Sequence, residues 1–152
     1  FTKQTGRSLV SAAKRDGMTL ICVTLDAPDD WRDHTAMLDY GFDNFCRRTV
    51  AGVGEYTFEY NVTGADTDTV TLVNTHPLIL TLPRSAAKLS FTHFSTSRFA
   101  FAPVTRGDIL ATVSVSACGQ TASSPLVARE TIAEADEKDS FWRKFFNFFK
   151  KD

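Results

Sequence analysis

The chain has 152 residues, of which 43% are hydrophobic and 23% are charged, a composition that supports one folded domain, or one domain joined to a fragment of another. Its net charge of −1 gives no reason to expect a nucleic acid as a partner. No apolar run approaches the ~20 residues that a membrane-spanning helix needs.

The cysteines and histidines do not predict a metal site. Cys22, Cys46 and Cys118 are odd in number and form no Cys-x-x-Cys pair, and the three histidines lie far from them in sequence. Free cysteines usually behave as small buried hydrophobic residues. We therefore predict three buried cysteines and no bound metal.

The first elements in chain order are two apolar runs at residues 7–14 and 18–25. Asp16 and Gly17 lie between them, and an Asp-Gly pair between two such runs predicts a β-hairpin. Residues 20–25 are almost continuously apolar, so we expect the second strand to be buried on both faces.

A helix is predicted next. Pro28 ends the strand, either Asp29 or Asp30 can cap a helix, and Gly41 is expected near the helix C-terminus. A hairpin and one helix, residues 1–45, are too few to form an independent core. This block must therefore pack on the following domain or belong to a larger one.

From Thr49 onward the sequence alternates between apolar and polar residues, and Tyr56, Phe58, Tyr60 and Val62 share one face of a strand. Further short apolar runs follow, separated by turn residues. Seven or eight strands within residues 46–132 predict a small antiparallel β-sandwich or barrel.

The C-terminal segment separates its residue types when it is drawn as a helix. Residues 133–140 form a polar linker, and Ser140 stands at the N-cap position of a predicted helix, 141–152. Six aromatic side chains lie on one arc and the cations on the other, a pattern typical of a helix lying on an anionic membrane surface. The alternative is a terminal helix that packs on its own sheet or on a partner. The predicted anchor residues are Phe141, Trp142, Arg143, Lys144, Phe145, Phe146, Phe148, Phe149, Lys150 and Lys151.

Three stretches carry a family resemblance. The stretch "FTKQTGRSLVSAAKRDGMTLICVTLDAPDDWRDHTAMLDYGF" resembles the segment after the third active-site motif, Lys-Thr-Gly, of D-alanyl-D-alanine carboxypeptidases, which are low-molecular-mass penicillin-binding proteins. Phe1 and Thr2 match the two positions after that triplet. The stretch "FAPVTRGDILATVSVSACGQTASSPLVARETI" resembles the family's C-terminal β-domain, and the aromatic tail resembles its membrane-anchoring helix.

The resemblance implies a mainly β, α+β chain that is the C-terminal fragment of such an enzyme. Residues 1–45 would be the remnant of a transpeptidase-like catalytic domain, 46–132 an all-β domain, 133–140 a linker and 141–152 the anchor. The parent protein would be a serine carboxypeptidase that trims peptidoglycan stem peptides and is trapped by β-lactams. It would work outside the cytoplasmic membrane, without a metal or organic cofactor.

The catalytic motifs of the family are expected upstream of Phe1, so the chain alone should neither hydrolyse peptide nor react with penicillin. Phe1 and Thr2 would lie at the edge of the substrate cleft, and Arg32 is the cation nearest the place of a family arginine that lies beside the substrate carboxylate. A solvated helix arginine is the alternative for Arg32. Two other functions remain open: a β-domain that binds cell wall or a protein partner, and a β-lactamase or esterase on the same catalytic fold.

Overall fold

The computed structural model describes residues 6–86, 88–95 and 97–135. In this part the chain is mainly β with one helix, as the sequence predicts. The elements are β1 (Leu9–Arg15), β2 (Met18–Thr24), α1 (Asp30–Asn44), β3 (Phe45–Ala51), β4 (Thr57–Thr63), β5 (Thr69–Asn74), β6 (Leu78–Pro83), β7 (Ser90–Phe94), β8 (Phe99–Phe101), β9 (Ile109–Ala117) and β10 (Gln120–Ala128).

The chain divides into two compact units. The described residues up to Val50, together with Ile79–Ser90 and Ser116–Ala122, form the first unit. The second unit contains Ala51–Leu78, Phe91–Val115 and the described residues from Ser123 onward.

Strands β1 and β2 of the first unit form an antiparallel hairpin, in register from Leu9 opposite Thr24 to Arg15 opposite Met18. The turn residues Asp16 and Gly17 both have positive φ, 51° and 74°. Positive φ at both central positions defines a type I′ turn, whose twist matches that of the flanking strands.

Helix α1 packs against the hairpin, and only one face of β2 is covered. Met18 and Cys22 are buried, whereas Ile21 is 70% exposed and Val23 is also exposed. The prediction that β2 is buried on both faces is therefore wrong for the described residues. One helix covers one face of a two-stranded sheet, because alternate side chains point to opposite faces.

The helix ends at Asn44, and Gly41 lies in its last turn, near the C-terminus as the sequence predicts. Gly41 is buried against Leu20 of β2, where a Cβ atom would overlap the leucine Cδ1. The Arg84 guanidinium donates to the Phe42 and Asp43 carbonyl oxygens, 3.1 and 2.9 Å away. These bonds satisfy two carbonyl groups that a helix end leaves without partners.

Two strands, β3 and β6, form a separate small sheet. Along β6 the side chains of Leu78, Leu80 and Leu82 are buried, and the residues between them are half-buried. This alternation is the period of a strand with one face in a core.

The second unit is built on a six-stranded sheet in the order β7-β9-β10-β5-β4-β8. Strand β5 pairs antiparallel with both β4 and β10, but β8 pairs parallel with β4, from Asn61 opposite Phe99 to Thr63 opposite Phe101. The prediction of a purely antiparallel arrangement is thus wrong at this edge. Parallel neighbours need a long crossover connection, and β5, β6 and β7 lie between β4 and β8 in the chain.

The six-stranded sheet is curled. Strands β7 and β8 lie at opposite ends of the strand order, yet only residues 95–98 connect them. A flat sheet of six strands would be about 24 Å wide, and the five Cα steps from 94 to 99 reach at most about 18 Å. Strands β5, β9 and β10 contribute five fully buried side chains to the core: Val70, Leu72, Val113, Val115 and Leu126.

The three cysteines differ in burial. Cys22 is buried and Cys46 is half-buried, but Cys118 is exposed, so the prediction of three buried cysteines is wrong for Cys118. Cys118 has a φ of 48° and lies in the turn between β9 and β10. Turn residues lie at the surface, where their backbone groups can bind water.

Candidate functional site

The first unit contains a buried histidine held by two hydroxyl groups. His34 of α1 is 2% exposed. Its Nδ1 lies 2.5 Å from the Ser11 Oγ of β1, and its Nε2 lies 3.0 Å from the Thr24 Oγ1 of β2. Both ring nitrogens therefore have partners on the hairpin, and the imidazole joins the helix to both strands.

A serine hydroxyl beside an imidazole is the pairing that activates a nucleophile in acyl-transfer enzymes. In such sites a third group, usually a carboxylate, holds the histidine. Here the third group is the Thr24 hydroxyl, and His34 is closed off from solvent. The arrangement is thus suited to holding the helix on the hairpin, and a substrate cannot reach the imidazole.

Beside this network, Arg7 and Asp30 form an ion pair with two hydrogen bonds. Arg7 donates to the two oxygens of Asp30 at 3.1 and 2.8 Å, and Asp30 is only 5% exposed. The hydrogen bond from Arg7 holds the pKa of Asp30 below its ordinary value, although burial acts in the opposite direction. The same contact raises the pKa of Arg7.

The helix N-terminus differs from the sequence prediction. Asp29 occupies the N-cap position, but its side chain makes no capping hydrogen bond. Asp30 instead accepts a hydrogen bond from the Trp31 backbone N–H at 2.9 Å while it binds Arg7. The side chain that binds a backbone N–H at the start of the helix is therefore that of Asp30, in the first turn, and its charge is neutralised by Arg7.

The predicted cleft-edge residues are placed as follows. Arg32 points into solvent, with its side chain 83% exposed and its NH1 3.7 Å from Asp29 Oδ2. The structure thus pairs Arg32 with Asp29, and it is Arg7 that pairs with Asp30. Phe1 and Thr2 lie outside the described residues.

The predicted linker and membrane anchor also fall outside the described residues, apart from residues 133–135. Within the described ranges, no helix is long and apolar enough to cross a bilayer. Across those same ranges, no group of three or more His, Cys, Asp or Glu side chains is placed to hold a metal ion.

The second unit carries a cluster of stacked rings at its surface, which we call the aromatic surface: Tyr56, Phe58, Phe91 and His93. The Tyr56 and Phe91 ring centroids are 5.6 Å apart, and those of Phe58 and His93 are 4.3 Å apart, both pairs stacked. The Tyr56 hydroxyl hydrogen-bonds His93 Nε2, and burial raises the pKa of Tyr56.

The aromatic surface is not part of a buried core. Phe91 is 41% exposed, His93 is exposed, and Tyr56 and Phe58 are half-buried. A shallow groove beside it is lined with polar side chains, among them Glu59, Asn61 and Arg98. Ring faces next to polar groups are the usual components of a binding surface. The alternating sequence predicts the shared face of Tyr56 and Phe58, but not their contact with β7.

Comparison with known proteins finds similarity in fold. No family model matches the chain, and no curated protein matches it. Among solved structures, penicillin-binding protein 5 from Haemophilus influenzae is 24% identical with a TM-score of 0.61, and a peptidoglycan synthesis regulatory factor from Streptococcus pneumoniae is 21% identical with a TM-score of 0.64. A D-alanyl-D-alanine carboxypeptidase from Francisella tularensis is 19% identical with a TM-score of 0.62.

These three similarities cover 87–89% of this chain but only 35–41% of the other chains. The chain thus has the fold of a part of these proteins and spans about two fifths of their length. The resemblance to penicillin-binding carboxypeptidases, stated from the sequence, is confirmed at the level of the fold.

Proposed function

We propose that this chain is the C-terminal part of a serine-type D-alanyl-D-alanine carboxypeptidase that trims peptidoglycan stem peptides. The observation that carries the proposal is the shared fold over nearly the whole chain, at two fifths of the length of the penicillin-binding neighbours. The order of the resembling stretches in the sequence agrees with it.

In the proposed reaction a serine attacks the peptide bond between two terminal D-Ala residues, D-Ala leaves, and water hydrolyses the acyl-enzyme. β-Lactams acylate the same serine. The described residues contribute support rather than a nucleophile, since the imidazole of the Ser11–His34 pair is inaccessible. Phe1 and Thr2 keep their proposed place at the cleft edge, where their role is to position substrate. The exposure of Arg32 and its pairing with Asp29 favour the alternative of a solvated helix arginine.

The remaining parts of the chain would place the enzyme at its substrate. In this proposal residues 46–132 are the all-β domain that acts as a spacer, and residues 133–140 link it to the proposed helix 141–152. That helix would lie on the anionic outer surface of the cytoplasmic membrane. The interleaved aromatic and basic residues of that segment support this role. Pelleting with anionic vesicles should require 141–152, and equal pelleting of a chain that ends at residue 140 would rule out anchoring.

The enzymatic proposal is tested by identifying the reaction product that is released by the natural protein containing this chain. The reading frame before Phe1 should encode Lys-Thr-Gly, and the whole protein should release free D-Ala from a peptide ending in D-Ala-D-Ala. Release of a β-lactam hydrolysis product without D-Ala release would instead identify a β-lactamase. A different triplet before Phe1 would contradict the proposal.

A second candidate is a β-domain that itself binds cell wall or a protein partner. The exposed aromatic surface favours it, because none of Tyr56, Phe58 and Phe91 is buried in the core. Purified peptidoglycan should then retain the chain, and Phe91→Ala with His93→Ala should weaken retention several-fold. Ile109→Thr, at another exposed apolar residue of the second unit, is the control. Equal retention of all three proteins would reject binding through this surface.

A further inference from the structure

The described part of the chain ends beside the turn that follows β4. The Ala135 N–H donates to the Gly64 carbonyl oxygen at 2.8 Å, and Glu134 forms an antiparallel bridge with Ala65. These bonds fix the point from which residues 136–152 continue. From Ala135 to Phe141 there are six Cα steps, which reach at most about 22 Å.

Two exposed phenylalanines occupy the edge strand next to this point. Phe101 is 70% exposed and Phe99 is 40% exposed. They are two residues apart on β8, so they share one face of the strand, and their rings meet edge to face at 5.1 Å. We call this pair the Phe99–Phe101 edge.

The register places this edge at the end of the unit where the chain leaves. Strand β8 runs parallel to β4, with Phe101 opposite Thr63, and the Ala102 N–H donates to the Thr63 carbonyl oxygen at 2.9 Å. Thr63 is followed directly by Gly64, which holds Ala135. Phe101 and the start of the segment 136–152 are therefore neighbours through a fixed set of backbone hydrogen bonds.

We infer that the Phe99–Phe101 edge is a second membrane-contacting surface, which inserts into the lipid interface beside the proposed anchor, residues 141–152. This inference rests on the anchoring role proposed above. The proposed anchor would hold one end of the unit within about 22 Å of the bilayer, and the rings at that end are apolar, exposed and paired. Aromatic side chains are favoured at the level of the lipid headgroups.

The charges around the edge indicate that lipid contact there is apolar rather than electrostatic. One exposed cation, Arg98, precedes β8, and three exposed acidic residues lie in the turn after β4 and beside the exit point: Asp66, Asp68 and Glu134. The contribution of the two rings should thus depend little on salt, whereas attraction of the basic helix to anionic lipid is screened by salt.

The first experiment measures partition of the full chain onto vesicles of phosphatidylcholine and phosphatidylglycerol. Phe99→Thr with Phe101→Thr should lower the partition coefficient about tenfold or more, at both low and high salt, because half-burying two Phe side chains is worth about that factor. The matched control is Ile21→Thr with Val23→Thr, which removes exposed apolar surface from the hairpin. Thermal unfolding of each variant verifies that it folds.

A second measurement places a probe at the edge itself. Phe101→Trp is made in a chain carrying Trp31→Phe and Trp142→Phe, and its fluorescence should be quenched by brominated lipids. The inference is overturned if the Phe101→Trp chain binds vesicles but its fluorescence is not quenched, or if the Phe99→Thr, Phe101→Thr variant binds with unchanged affinity. Either result leaves the proposed anchoring role of residues 141–152 unaffected. Emission already shifted to the blue without vesicles would show that residues 136–152 cover the edge, which also overturns it. Absence of any vesicle binding by the unaltered chain rejects both proposals.

Discussion

Asp30 illustrates how one carboxylate can serve both a helix and a hairpin. It accepts a hydrogen bond from the backbone of its own helix and two from Arg7, which precedes the first strand. Hydrogen bonds to an ionised group are stronger than those between neutral groups. The pair therefore fixes where the chain enters the hairpin relative to the helix.

Acid should weaken the fold through Asp30. Its pKa is lower in the folded chain than the ordinary value of 3.8, so the ion pair adds stability above that pH and loses it as the pH falls through the lower folded value. Urea unfolding between pH 7 and pH 2 should show this loss. In the Asp30→Asn variant, the free energy of unfolding should fall less steeply as the pH is lowered. Asp33→Asn, at an exposed position of the same helical turn, is the control. An unchanged pH dependence in Asp30→Asn would contradict the assignment.

At the residue scale the sequence predicts some features and conceals others. The Asp16-Gly17 turn is readable because the type I′ geometry demands residues that tolerate positive φ. The His34 network is not readable, because Ser11 and Thr24 look like ordinary strand residues until the register places both on the side facing α1. The sequence did contain one indication: each apolar run has a polar residue, Ser11 or Thr24, at a position that faces the helix.

At the element scale, Gly41 sets how closely α1 approaches β2. Gly41→Ala would place a methyl group against Leu20, which must shift, so we expect a loss of about 1–3 kcal/mol in the free energy of unfolding. In an exposed helix position the same change would stabilise by about 1 kcal/mol. Leu20→Ala removes the overlap, so the double variant should be more stable than the sum of the two single changes predicts. Strict additivity would contradict this contact.

Asn74, at the end of β5, is a buried residue whose side chain hydrogen-bonds three backbone groups of the second unit. Its amide donates to the Gly52 and His76 carbonyl oxygens at 2.7 and 2.8 Å and accepts from the Tyr56 N–H at 2.9 Å. Asn74→Ala leaves these groups without partners and should cost about 2–4 kcal/mol in denaturant unfolding. Asn61→Ala, at an exposed position of β4, should change stability by less than about 0.5 kcal/mol. Similar losses in both variants would argue against the network.

The strands themselves were more predictable than their order. Alternation of apolar and polar residues reveals β4, β5 and β6, because each buries one face. The position of β8 could not be predicted, since a strand of three residues carries little pattern and its partner residues on β4 are 38 positions earlier in the chain, as in the pair Asn61 and Phe99. The aromatic surface depends on the same long-range arrangement.

At the scale of the whole molecule, the proposal gives a reason for the exposed face of the hairpin. Val10, Ile21, Val23 and Leu25 are exposed and apolar, which is unusual for a surface strand pair. In the proposed parent protein the catalytic domain includes further residues before Phe1, and this face would pack against them. The Ile21→Thr and Val23→Thr changes should therefore reduce binding of a hydrophobic dye by the 152-residue chain, and unchanged dye binding would contradict the assignment.

The most direct test of the account is covalent labelling by a fluorescent penicillin. Two polypeptides are compared: the 152-residue chain and the same chain extended by the preceding reading frame. The account predicts a labelled band for the extended protein and none for the 152-residue chain, because the proposal places the nucleophile upstream of Phe1. Labelling of the 152-residue chain, or of neither polypeptide, would contradict it.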